Sequence, residues 1–167
     1  MRRIIEMEIK ISTYDFLNKF ILGLVFTGVV VLSYGNEVSH YFEVYSAIKW
    51  NSIITTVFSV SVLAIVYEVG ILINRLGSIL EDFLRLCHLI PFNKDYKKFN
   101  DKKKEYPILN ILSREYALSR NSVVLFLLIS IVFFIRFTWY GLIPIVIMLV
   151  FYYSCRKYSQ KIVDLMK

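Results

Sequence analysis

Between residues 53 and 74 an otherwise apolar run carries a single formal charge, Glu68, and no Gly-Pro step interrupts the chain from there to Pro91. At about 1.5 Å per residue such a run crosses the roughly 30 Å hydrocarbon core of a bilayer. A carboxylate at that depth is costly unless it meets protein or water. Residues 52–89 are therefore expected to form one helix, a membrane span first and an amphipathic segment outside the membrane after it. Glu68 is the residue to explain.

The polar positions of this span follow a pattern. Ser52, Thr55, Thr56 and Ser59 are read as lining one side of its outer half, whereas Ser61, Glu68 and Arg75 recur every seven residues on another stripe. Two readings stay open. In one, the hydroxyls support close helix packing and Glu68 pairs with an Arg or Tyr of another span. In the other, Glu68, Ser61, Arg75, Thr55 and Ser59 border a hydrated path or polar interior.

The chain of 167 residues is 57% hydrophobic with a mean hydropathy of +0.57, which excludes a soluble domain of this size. The expected fold is an all-α integral membrane protein with four transmembrane helices, a cytoplasmic helical hairpin and a short N-terminal strand as an option. In residues 1–12, Ile5, Met7, Ile9 and Ile11 alternate with Glu6, Glu8, Lys10 and Ser12, the period of a strand that would need an outside partner; a helical lead-in is the alternative. Residues 13–74 form the first transmembrane hairpin. Its first helix opens with Ser12 and Asp15 at capping-box spacing, and Gly23 and Thr27 offer a close-packing pair. Acidic Glu6, Glu8 and Asp15 argue against a cleaved signal peptide. Tyr34, Tyr41, Phe42, Tyr45 and Trp50 in the connection suit a membrane interface.

Residues 75–121 are expected to form a cytoplasmic helical hairpin with a basic loop. Leu76, Leu80, Phe83, Leu84, Cys87 and Ile90 repeat at helical spacing as the packing face, with Glu81, Asp82 and Arg85 opposite. Ile108, Leu109, Ile111 and Leu112, opened by Pro107, supply the second helix. Between them, residues 93–105 carry Lys94, Lys97, Lys98, Lys102, Lys103 and Lys104 with Tyr96 and Phe99 and no apolar periodicity, so a solvated loop is expected. Lysines can hold phosphates while bases stack on aromatics, which makes a nucleotide or single-stranded oligonucleotide a candidate ligand beside anionic lipid. Residues 122–155 hold one charge, Arg136, and as a single helix would reach about 51 Å. A second transmembrane hairpin, turning near 136–141, with Trp139 and Tyr140 at the interface and Pro144 in the first turn of the last span, is the economical solution. Residues 156–167 form a basic tail.

Of 20 lysines and arginines, all but Lys49 and Arg136 fall on one side of these spans, so both termini are expected in the cytoplasm of a multi-pass protein of the bacterial inner membrane. No phosphate loop, nucleophile elbow or metal-ligand spacing occurs, and the two cysteines, Cys87 and Cys155, suggest no disulfide. No enzyme, cofactor or metal is expected.

The opening STYDFLNKFILGLVF resembles the start of small four-span bacterial proteins in which a Tyr-Asp pair heads the first helix and a Pro-Gly step follows. Thr13, Tyr14, Asp15 and Gly23 match, and Leu22 stands where proline would. Such proteins include membrane effectors of anti-phage systems of the Hailong and cyclic-oligonucleotide signalling type. The resemblance implies a membrane-permeabilising homo-oligomer or ion channel controlled by a nucleotide or oligonucleotide and accompanied by a nucleotidyltransferase. A membrane scaffold or assembly factor, or a small ion-coupled transporter using Glu68, are the alternatives.

Overall fold

In the computed structural model the backbone is described for residues 2–37, 39, 43, 51–91 and 96–166, and side chains for 13–37, 39, 43, 51–91, 98–136 and 139–166. Among the described residues the regular elements are all helical: α1 (Arg2–Ser33), α2 (Ser52–Leu86), α3 (Tyr96–Glu105), α4 (Ile108–Phe137), a 3-10 turn (Thr138–Gly141) and α5 (Leu142–Met166). Four of these helices are long and apolar enough to cross a membrane.

The alternating N-terminal segment is not a strand. It belongs to α1, which begins at Arg2 and runs straight through Ser12 and Asp15, so these are interior residues and not a capping box. A helix closes its backbone hydrogen bonds within itself, whereas a strand here would need a partner that the described residues do not supply.

As expected, α2 is one continuous helix of 35 residues. Asn51 caps it, its side-chain oxygen accepting from the Ile54 amide at 2.9 Å. It stops where His88 enters the left-handed region at φ 55°, with the Leu89 amide donating to Leu84 O at 2.9 Å; Pro91 follows.

The lysine stretch is helical where a loop was expected. Lys and Glu are good helix formers, Lys102 and Glu105 pair one turn apart at 3.3 Å, and Phe99 anchors the helix to the protein core. The second surprise is α4, which passes from the expected cytoplasmic hairpin into the third span without a break. The turn at 138–141 closes the final hairpin as expected; Ser130 Oγ donates to Gly141 O at 2.8 Å, and a Cβ on Gly141 would strike the Phe134 ring.

The helices run up and down, with α4 touching α1, α2 and α5. Near Gly23 and Gly70 the backbones of α1 and α2 meet so closely that a Cβ on Gly23 would overlap Val66 O and one on Gly70 would overlap Lys19 O. Gly23 therefore serves the close approach foreseen, but toward α2 of the same chain. One core cluster, around Leu22, Ile73, Val124, Leu125 and Ile129, lies in mid-bundle. The other joins Leu84, Ile90, Leu109, Leu112, Tyr116, Cys155 and Ile162 at the end that carries the lysines.

That second cluster corrects the expected face of α2. Leu84 and Ile90 are buried, but Leu76, Phe83 and Cys87 are exposed, while Glu81 is buried. On α4, Leu109 and Leu112 pack inward as expected, and Ile108 and Ile111 do not.

Candidate functional site

The polar stripe of α2 is set by its helical phase. At about 100° per residue, Ser61, Glu68 and Arg75 stay within about 40° of one another, and Glu68 points about 160° away from Gly70, the contact with α1. All three are exposed. Thr55 and Ser59 are exposed too, but face more than about 100° away from Ser61, so the five residues do not share one face.

The hydroxyls are satisfied inside α2 itself. Thr55, Ser59 and Ser61 donate to the carbonyls of Asn51, Thr55 and Val57 at 3.1, 2.9 and 2.9 Å. Glu68 and Arg75 make no hydrogen bond or ion pair among the described residues. From Asn74, which touches Asn121 of α4, Glu68 lies about 9 Å toward the Arg136 end; Arg136 itself lies about 22 Å from Asn121. Glu68 thus sits well inside the apolar length of α2, away from both of its ends.

A polar network that the sequence reading missed lies between α2 and α4. Arg120 Nη1 donates to Glu81 Oε2 at 2.5 Å, its Nη2 to Asn74 Oδ1 at 3.4 Å and its Nε to Asn121 Oδ1 at 3.3 Å. Asn121 Nδ2 also donates to Asn74 Oδ1 at 2.9 Å. Gly77 makes room, since a Cβ there would overlap Asn121 Oδ1. The sequence signal was available: Asn74, Gly77 and Glu81, at i, i+3 and i+7, lie on one face, and Ser119, Arg120, Asn121 and Ser122 interrupt an apolar helix. The pair is internally compensated, as a buried charge must be.

At the other end Arg136 does more than snorkel. It donates through Nε to Ser33 O at 3.0 Å, pairs with Glu37 and covers the Tyr34 ring at 4.9 Å. Glu37, outside the spans, has its carboxyl held below the usual range by a backbone hydrogen bond first and by Arg136 second. These contacts tie the exit of α1 to the turn between α4 and α5.

The lysines spread around α3. Lys98 and Lys104 are exposed; Lys102, paired with Glu105, also lies 5.4 Å from the Tyr106 ring; Lys103 is half-buried. Phe99 packs on the core and is not a free stacking surface. Lys94, and the side chains of Tyr96 and Lys97, lie outside the described residues. Among the described residues no three His, Cys, Asp or Glu side chains gather as a metal site.

Set against family models, curated proteins and solved structures, the chain matches none.

Proposed function

We propose that the chain is a membrane effector that acts as a homo-oligomer, conducting ions or permeabilising the membrane, with its lysine end and both termini in the cytoplasm. Glu68 carries this reading. It is exposed on a single copy, deep in a span, and has no partner among the described residues. Had the chain needed only a buried ion pair to hold its helices, Glu81 and Arg120 already provide it. A carboxylate on the outward face must instead be covered by another subunit or reached by water.

The basic asymmetry supports the orientation. The exposed Lys98 and Lys104, with Lys102 and Lys103 beside them, form the surface assigned to an anionic ligand, a nucleotide or single-stranded oligonucleotide; the inward turn of Phe99 leaves phosphate contacts as the main source of affinity. The place in anti-phage defence follows the resemblance of the opening helix. The test is ion flux from vesicles containing the purified protein, with and without a short single-stranded oligonucleotide. Flux that responds to the oligonucleotide and falls in Glu68→Gln supports the reading. An inert protein in both conditions favours a membrane scaffold.

A further inference from the structure

Residues 87–91, which follow α2, are pinned to α5 by side chains. Tyr152 Oη donates to Leu89 O at 3.4 Å, and Ser159 Oγ donates to Pro91 O at 3.1 Å. Between these points Ile90 turns inward and is buried. On α5, Tyr152, Cys155, Ser159 and Ile162 follow at i, i+3, i+7 and i+10 and share one face, so Cys155 sits between the two hydroxyl pins, 1% exposed and in the same cluster as Ile90. Cys87, at the head of the segment, is exposed. The hold is light. Both bonds are long for hydroxyl donors, and the chain turns through His88 at φ 55°, a conformation that residues with a Cβ seldom adopt. The segment is also a joint: α2 and α5 do not pack on each other, and α3 packs along α4 and α5 but not along α2. The covalent route from α3 back to α2 runs through residues 87–91.

We propose that residues 87–91 form a releasable strap that ties α2 to α5 at rest, and that an anionic ligand drawing on the α3 lysines frees it, a step that rests on the reading of those lysines as a phosphate-contacting surface. Among the described side chains of α3, Phe99 is the one that packs on the core, so α3 can shift against α5 without dismantling the bundle. A weakly held segment opens before the elements it connects. When the strap lifts, Leu89 O and Pro91 O exchange hydroxyl partners for water, a nearly balanced trade, and the burial of Ile90 is what opposes release. Lifting uncovers the α5 face that carries Cys155. It also unties the end of α2 from α5, while Glu81 and Asn74 keep α2 on α4. Since α2 is one continuous helix, the strap joins the ligand surface to the element that bears Glu68.

The two native cysteines report the state of the strap. In the full-length protein, N-ethylmaleimide should label Cys87 quickly and Cys155 slowly, each rate followed by peptide mass spectrometry. Tyr152→Phe and Ser159→Ala together should label Cys155 about tenfold faster, as the loss of two ordinary hydrogen bonds allows, while Cys87 keeps its rate. His88→Gly, which relieves the left-handed turn, should slow Cys155 several-fold and restore part of the protection in the pin variant. General misfolding would accelerate labelling in every variant and cannot produce these opposite signs. A short single-stranded oligonucleotide should accelerate Cys155 in the wild type and add nothing in the pin variant. Equal Cys155 rates in the wild type and the pin variant, or faster labelling in His88→Gly, overturn the strap. An oligonucleotide that binds, read by fluorescence anisotropy, yet leaves the Cys155 rate unchanged overturns release by ligand. An oligonucleotide that does not bind refutes the ligand assigned to the lysines, and the trigger with it, whereas the pin and His88 variants still decide the strap.

Discussion

Removing either member of the Glu81–Arg120 pair should be among the most damaging single changes in this chain. The two side chains keep 10% and 13% of their exposure, so neither can be rescued by water. In Glu81→Leu the guanidinium retains only neutral amide partners at 3.3 and 3.4 Å, long for hydrogen bonds, and its charge is uncompensated. The expected cost is about 3–5 kcal/mol. Arg120→Met should cost a similar amount by orphaning Glu81. The double variant, in which both charges are replaced by apolar groups, should recover most of the loss, because desolvation of the pair is removed with it. Unfolding in detergent followed by circular dichroism measures all three, and the cycle should return a coupling of more than about 2 kcal/mol. A loss below about 1 kcal/mol in Glu81→Leu, typical of solvent-exposed pairs, would refute the reasoning, as would strictly additive singles.

The glycines make a second contrast. Gly23→Ala forces a methyl into the α2 backbone and should destabilise by about 1–3 kcal/mol, whereas Gly28→Ala, which meets nothing within 4 Å, should gain up to about 1 kcal/mol from helix propensity; thermal unfolding of the two variants decides. Because Glu37 is held below the ordinary carboxylate range, its pairing contributes fully above its unfolded-state value and is lost as the pH falls through the lowered folded one. In a Trp50→Phe background, Trp139 fluorescence should therefore show an acid transition below the usual carboxylate range that Glu37→Gln abolishes. Oligonucleotide affinity should fall with salt at a log-log slope near −0.7 per phosphate contact, and Lys102, Lys103 and Lys104 changed together to Ala should flatten it. An unchanged slope removes these lysines from ligand binding.

How much of this was legible in the sequence depends on the solvent each residue faces. The four long apolar helices and the final hairpin could be read because length against a fixed bilayer thickness leaves few options: residues 122–155 are too long for one crossing, and Arg136, Trp139 and Tyr140 mark the turn. The packing face of α2 could not be read by the rule that apolar residues point inward. Leu76 and Phe83 are exposed, while Gly77 and Glu81 turn toward α4, because the contacts that fix this face are the polar ones to Asn121 and Arg120 and not apolar burial. The N-terminal segment was ambiguous because alternation over so few residues does not exclude a helix that continues into a span. The helical lysine stretch was missed because Phe99, which anchors it among the described residues, makes no period. Of the candidate residues, Ser61, Glu68 and Arg75 do share a face, as their spacing required, while Thr55 and Ser59 lie elsewhere and bond to their own helix.

The central claim is that Glu68 borders a shared ion path, and the reversal potential of the purified protein in a planar bilayer under a salt gradient tests it most directly. The wild type should be cation-selective, and Glu68→Gln should move the reversal potential toward zero while the protein still assembles. A conducting protein whose reversal potential is the same with glutamate or glutamine at this position would contradict the account.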